Sequence, residues 1–202
     1  CVRLVGSEMC IRDRYLFIVG MPRCGSTLLE SILSLNPEVK DLGEVPFLEE
    51  SLQKSDDLLE VRKLYKEKVM LVNSKQKTFT DKNLFNFLYC PIIYNLFPNA
   101  KIIHCIRNPL DNILSIYRTN FLNQSFSSSL NDISDLYLYH QKLMKEYKSK
   151  FGSIIYSYDH EKVVQNSRET IQDLINWLDW EWSEKYLSCL LYTSDAADDH
   201  HR

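Results

Sequence analysis

Two short stretches and two isolated side chains carry residue types whose spacing suits anion chemistry. The first stretch reads YLFIVGMPRCGSTLLESIL over residues 15–33. Its apolar run of Leu16, Phe17, Ile18 and Val19 closes on Gly20, and Pro22, Arg23 and Gly25 follow as a loop. Ser26 and Thr27 then open a segment whose Leu28, Leu29, Ile32 and Leu33 recur at helical spacing. A buried strand, a glycine-bounded loop and a helix in that order aim backbone N–H groups and the positive end of a helix dipole at one point, where an anion satisfies both. Gly20 and Gly25 stand at the spacing of a nucleotide P-loop, with Thr27 at its hydroxyl position. Ser26, however, replaces the lysine that reaches the β- and γ-phosphates of a triphosphate. Arg23 supplies a cation from inside the loop instead, so the expected ligand is an anion other than a nucleoside triphosphate. The competing reading is an ordinary strand–turn–helix junction.

The second stretch, KIIHCIRNPLDNILSIYRTNF, spans residues 101–121. Ile102, Ile103, Cys105 and Ile106 predict a buried strand. Asn108 suits an N-cap, Pro109 the first helical position and Asp111 the first turn. Leu110, Ile113, Leu114, Tyr117 and Phe121 share one expected helix face, and Asp111, Ser115 and Arg118 another. Arg107 thus ends the strand and Ser115 follows two turns into the helix, a guanidinium and a hydroxyl placed to grip a second phosphate. Glu44, just after Gly43, is electrostatically awkward near an anion cradle unless it takes a proton from an incoming nucleophile; the plainer reading is a solvated loop carboxylate. Lys82, in KTFTDKN over residues 77–83, sits at an expected strand end, where α/β folds place ligand contacts.

PRCGSTLLESIL resembles the 5′-phosphosulfate loop of the sulfotransferases, P-R-S-G-T-T-L, and is most similar to the branch holding the protein-tyrosine sulfotransferases and the bacterial sulfotransferases with tetratricopeptide repeats. Cys24 stands where that family has Ser and Ser26 where it has Thr; Ser26 keeps a hydroxyl, whereas Cys24 leaves only the backbone donor secure. The resemblance implies sulfuryl transfer from 3′-phosphoadenosine-5′-phosphosulfate (PAPS) to an acceptor hydroxyl or amine, with adenosine 3′,5′-bisphosphate (PAP) as product and no metal. It implies that Arg23, Cys24, Gly25, Ser26 and Thr27 hold the 5′-phosphosulfate, and that Arg107 and Ser115, eight positions apart in an R-(D/N)-P context, hold the 3′-phosphate. By the same resemblance Lys82 contacts the bridging oxygen of the donor and Glu44 is the base. The segment YDHEKVV is similar to the family's Y-E-x-L-V, with His160 in the usual Tyr place against the nucleotide. The likeness extends over nearly all of residues 15–187. Acceptors consistent with it include peptidyl tyrosine, other peptides, carbohydrates, lipids and small molecules. The alternatives are a P-loop nucleotide kinase and an inactive bisphosphate-binding module.

These groups need a frame, and the periodicities supply one. Strands are expected near residues 15–20, 77–80, 101–106 and 153–157, a helix or helix pair over 51–76, and helices over 84–97 and 131–151. The expected fold is three-layer α/β, P-loop-like, with a central parallel sheet flanked by helices. Composition agrees with one globular domain: 202 residues, 45% apolar and 25% charged. The net charge of −3 gives no sign of a nucleic-acid partner. No apolar run of membrane-spanning length and no signal peptide is visible, which predicts a cytoplasmic location. The ends, residues 1–14 and 188–202, resemble translated sequencing-adapter read-through of a metagenomic fragment and are set aside as non-native tails, leaving a domain over 15–187 whose carboxyl end is expected to be truncated. Of the remaining cysteines, Cys90 and Cys105 are expected as small buried hydrophobes and Cys24 as a thiol with a depressed pKa. His140 is expected at the core edge rather than as a base, and Trp177, Trp180 and Trp182 as closing the core.

Overall fold

The computed structural model describes residues 14–72, 75–119, 121 and 125–189. Five strands form one sheet: β1 (Arg14–Gly20), β2 (Val39–Asp41), β3 (Thr78–Asp81), β4 (Lys101–Ile106) and β5 (Ile155–Asp159), in the spatial order β2-β3-β1-β4-β5. Every pairing is parallel. Parallel strands need crossovers, and helices on both faces provide them. Alternation along β1 divides the core: Tyr15, Phe17 and Val19 face one helical layer while Leu16 and Ile18 face the other. The first layer brings α3 (Leu58–Val72) with Val61, Tyr65 and Val69, and α6 (Leu130–Phe151) with Met144, onto the sheet. Tyr15, Tyr65, Phe79 and Phe97 pack ring against ring there, with Tyr15 and Tyr65 edge-on at 5.4 Å. The second layer is α1 (Ser26–Leu33), α7 (His160–Gln165) and α8 (Ser167–Trp177), through Leu29, Ile32, Val163, Ile171 and Leu174, with the three tryptophans packed at its margin as expected.

The expected three-layer architecture holds, with local differences. The 84–97 segment is not one helix: a 3₁₀ stretch (Leu84–Tyr89) precedes α4 (Cys90–Leu96). Pro91 explains the break, because a proline there lacks an N–H and its ring would collide with the carbonyl four residues back. The expected helix pair of the charged segment is α2 (Phe47–Lys54), which starts before residue 51, plus α3; Val61, Tyr65 and Val69 of α3 are buried and Leu59 is 51% exposed. The apolar face expected on α5 (Pro109–Thr119) is also displaced: Asn112 and Ile116 are buried, whereas Leu110, Leu114 and Tyr117 point outward. The helix is turned so that a polar side chain, Asn112, reaches the phosphate-type loop. β2, three residues inside a stretch read as loop, pairs with β3 through Val39 and Lys40. β5 begins two residues later than expected, after a 3₁₀ turn over Gly152–Ile154.

Residue 14, assigned to the amino-terminal tail, is the first of β1; its backbone N–H donates to the Lys77 carbonyl at 2.8 Å and its guanidinium to the Leu178 carbonyl at 2.9 Å. The rest of that tail and residues 190–202 lie outside the described residues. Among the described residues, no helix is long and apolar enough to cross a membrane.

Candidate active site

The carboxyl ends of β1, β3 and β4 meet over one cleft of about 550 Å³, whose wall includes Arg23, Gly25, Ser26, Thr27, Glu44 and Arg107. These residues, from three separate stretches of sequence, thus share one space. The cleft opens beside the boundary between β1 and β4, on opposite sides of which the following strands are laid down; open parallel sheets bind ligands at such points.

The loop after β1 is shaped by close approach. A Cβ at position 20 would lie 2.8 Å from the Cys105 carbonyl oxygen, so only glycine lets β1 end against β4 there. Gly25 takes φ +90° and opens α1 without a side-chain cap, which leaves the first-turn N–H groups of α1 available to a ligand. Arg23 holds φ +66°, a left-handed conformation that costs a residue with a side chain roughly 1–2 kcal/mol. Two side chains hold the loop in that shape. Asn112 Nδ2 donates to the Pro22 carbonyl at 2.7 Å, and Arg107 Nη1 donates to the Arg23 carbonyl at 3.0 Å. With those carbonyls engaged from the α5 side, the loop's N–H groups are left to the cleft.

The arginine–serine pair read from the sequence is joined to the loop directly: Arg23 Nε donates to Ser115 Oγ at 3.3 Å. Arg107 Nε is buried and has no partner among the described residues. Asn108 caps α5 as expected, its Oδ1 accepting from the Leu110 N–H at 3.0 Å. The Arg107 carbonyl is tied to α6 by the Tyr137 hydroxyl at 3.2 Å.

Lys82 lies at the end of β3, 7% exposed. Its ammonium is 3.4 Å from Glu44 and 3.4 Å from Glu30. Glu44 is largely open to solvent on the cleft wall, its side chain 70% exposed. The turn that aims Lys82 is built on Asp81, whose carboxylate accepts from Tyr65 Oη, the Asn83 N–H and Asn86 Nδ2, each at 3.0 Å. Burial pushes the Asp81 carboxyl up to about 7, against the opposing pull of those hydrogen bonds.

Two further residues read as donor contacts lie beside the loop and are not part of the cleft wall. The Cys24 side chain is buried; its thiol points into the core, hydrogen-bonded with Cys105, and that bond lowers its pKa against the opposing effect of burial. The depressed thiol is therefore present, with Cys105 rather than the helix end as its first cause, and only the backbone of Cys24 belongs to the loop's cleft side. His160 lays its ring on Gly25: a Cβ at position 25 would fall 2.5 Å from His160 Nδ1. Burial first, and then Arg107, lower its pKa. His140 is buried and shares a hydrogen bond with His104, Nε2 to Nε2 at 3.0 Å. Burial drives this pair down to about 2 for His104 and about 4 for His140. Cys90 is pushed up to about 12 by burial. Among the described residues, no group of three or more His, Cys, Asp or Glu is placed to hold a metal ion.

Sequence reasoning missed Asn112, Asp81 and Glu30. A glutamate inside the apolar run of residues 28–33 is the one mark among them; Asn112 falls on the side of its helix away from the expected apolar face.

The fold is α/β, and its cleft sets a glycine loop with free N–H groups beside an arginine–serine pair one strand away, an arrangement able to take an anion. The family model described as "Sulfotransferase family" matches residues 16–67 and 58–184, and the chain belongs to that family. It is 29% identical over 201 residues to an uncharacterized protein of Aquifex aeolicus, covering 86% of this chain and 26% of that protein. It is 25% identical over 196 residues to a Caenorhabditis briggsae protein bearing the name of a protein-tyrosine sulfotransferase, covering 87% of this chain and 69% of that one. The chain thus spans only about a quarter of the length of the Aquifex relative. Among solved structures, sulfotransferase STF9 from Mycobacterium avium superposes with a TM-score of 0.67 at 11% identity, over 91% of this chain and 68% of that one. Mouse sulfotransferase SULT7A1, complexed with PAP, superposes with a TM-score of 0.60 at 13% identity, over 89% and 63%. At these identities the structural likeness speaks for the fold.

Proposed function

We propose that this chain is the donor-binding and catalytic domain of a PAPS-dependent sulfotransferase. The observation that carries the reading is the direct linkage of two anion grips, Arg107 to the Arg23 carbonyl and Arg23 to Ser115. A bisphosphate donor needs two such grips at a fixed separation, whereas an isolated phosphate loop needs one. Bound PAP in the mouse structural neighbour supports the same ligand class.

In this reading the loop N–H groups and Arg23 hold the 5′-phosphosulfate, while Arg107 and Ser115 hold the 3′-phosphate. Sulfuryl transfer is in line. An acceptor oxygen or nitrogen forms the new bond to sulfur as the sulfur–oxygen bond to the 5′-phosphate breaks, and the electron pair leaves on PAP. Lys82 meets the charge that develops on that leaving oxygen. Glu44 takes the acceptor's proton; its exposed position on the cleft wall lets it face a substrate arriving from solvent. The Lys82–Glu44 contact separates when both partners engage the substrates. Protein cations and amides meet the donor's charge, so no metal enters these steps. Pro46, Leu84, Phe85 and Phe121 give the same cleft an apolar wall for the acceptor.

Calorimetric titration of PAP tests the reading, with Mg-ATP as control. Saturable, metal-independent binding is expected, weakened about 10- to 100-fold in Arg107→Ala, the usual scale for a charged hydrogen bond lost. Binding of Mg-ATP in preference to PAP would turn the assignment toward a nucleotide kinase.

A further inference from the structure

We infer that Glu30 is the residue that positions Lys82 for catalysis, acting as its buried counter-ion. The inference rests on the donor-site reading for its catalytic consequence, and on geometry alone for the pair itself.

Glu30 lies on the sheet-facing side of α1, 9% exposed, among apolar neighbours. A carboxylate in that place is costly unless paired and hydrogen-bonded. Both conditions are met. Its Oε1 accepts from the Thr80 hydroxyl, itself fully buried, at 3.1 Å, and its Oε2 lies 3.4 Å from Lys82 Nζ. Thr80 and Lys82 flank Asp81 at the end of β3, so β3 presents a hydroxyl and an ammonium to one carboxylate on the helix that carries the phosphate-type loop. Glu30 therefore ties the loop helix to the lysine strand.

The arrangement is asymmetric. Lys82 has two carboxylate partners at equal distance, one buried and hydrogen-bonded to Thr80, the other exposed to solvent. When Lys82 turns to the leaving oxygen it gives up Glu44, which the reaction needs as base, and retains Glu30. Without the Glu30 charge, Glu44 becomes the lysine's sole carboxylate partner. Lys82 then collapses onto it, withdrawing the leaving-group cation and the base together. Glu30 need not touch substrate to have this effect.

Turnover per site is the test. PAP titration counts binding sites, and sulfuryl transfer from PAPS to 2-naphthol and to a tyrosine peptide gives turnover. Glu30→Gln keeps the Thr80 hydrogen bond and the side-chain shape while removing the charge. The expected variant binds PAP with unchanged stoichiometry and loses about 10- to 100-fold in kcat, the cost of displacing a reacting group by about an ångström, with a smaller change in donor KM. Glu30→Asp restores part of that loss, and Glu30→Gln adds nothing further to Lys82→Met. Wild-type turnover per site in Glu30→Gln, or an equal further loss in the Lys82→Met background, overturns the inference. Thermal denaturation of the same four proteins (wild type, each single variant and the double) reads the pair without ligand or turnover. Strongly non-additive shifts are expected, and additive ones overturn it. Should the wild type fail to take up PAP, the donor-site reading fails by itself while the denaturation cycle still decides whether the pair exists.

Discussion

Asn112 offers the sharpest test of how the loop is held. Its Nδ2 donates to the Pro22 carbonyl at 2.7 Å inside the protein, ninety residues away in sequence. Asn112→Ala leaves that buried carbonyl without its partner, at a cost of about 1–3 kcal/mol. For a domain of this size each kcal/mol is worth about 2–4 °C in Tm, so the midpoint should fall by roughly 2–12 °C. A second effect is separable from the first. Arg23 sits at φ +66°, and the roughly 1–2 kcal/mol that this conformation costs is offset while both clamps hold. With the Asn112 clamp gone, the loop relaxes when empty and PAP must rebuild it, which weakens affinity by about 5- to 30-fold. Thermal denaturation with and without saturating PAP, together with calorimetric Kd, measures both quantities. Asn112→Asp is a harsher control, because it turns a carboxylate toward the Pro22 carbonyl. A variant less stable than wild type but equal to it in PAP affinity would refute the reasoning. Asn112 would then brace the fold without preorganising the loop.

The remaining expectations concern the glycine of the loop and the buried acids and bases. Gly25→Ala should lower Tm and abolish PAP uptake, since it meets both a φ of +90° and His160 Nδ1 at 2.5 Å; adding His160→Ala should recover part of the Tm but not the binding, because the backbone strain stays. Stability against pH carries two opposed effects, readable by urea denaturation across pH 4–8. Asp81 has its folded pKa raised by burial from 3.8 to about 7, so the folded state holds the extra proton between those values and stability falls as pH rises through them. His104 and His140 have theirs lowered by burial from 6.5 to about 2 and about 4, so stability falls as pH drops below 6.5. Between pH 4 and 6.5 the two partly cancel in the wild type. Asp81→Asn should remove one side and unmask an acid limb of up to roughly 1.4 kcal/mol per pH unit for each ring; an unchanged profile would show that Asp81 titrates normally.

What could be read from the sequence follows from how far apart interacting residues lie. The loop of residues 20–27 and the Arg107–Ser115 spacing are local signatures: strand, turn and helix start are decided by neighbours, so residue types at fixed offsets suffice. The sheet order was not available that way, but four of its five strands were: β1 and β4 read as continuous apolar runs, as buried parallel strands do, and β3 and β5 as short aromatic and β-branched segments between polar turns. β2 escaped, being three residues with a charged centre, Lys40. The groups that support the site escaped for a different reason. Asn112 and Glu30 act on partners ninety and fifty residues away, and only the tertiary fold shows that these polar residues are buried and paired. The same polar residues misled the reading of α5. Periodicity assigned its buried face to Leu110, Leu114 and Tyr117, while hydrogen bonding to Pro22 turned Asn112 inward instead.

The charge of the cleft also bears on how a ligand enters it. Arg23, Lys82 and Arg107 would create a strong positive field if they stood free, but each is engaged: Lys82 by two carboxylates, Arg107 by a backbone carbonyl, Arg23 by a hydroxyl. Those partners differ in what they cost to exchange. Ser115 and Glu44 face solvent or the cleft and regain water when released, so an incoming anion displaces them cheaply. The Arg23 carbonyl and Glu30 sit on the protein side and keep their contacts while the remaining donors of Arg107 and Lys82 turn to the ligand. A cation held at its back and released at its front is already oriented, and the affinity it yields is the difference between an anion and a weak partner rather than between an anion and nothing. Fixed partners therefore set geometry, and exchangeable ones set the threshold that a ligand must exceed. On this account the two kinds of substitution separate: removing Ser115 or Glu44 leaves the cations aimed, whereas removing Glu30 or Asn112 leaves the charges in place but unaimed.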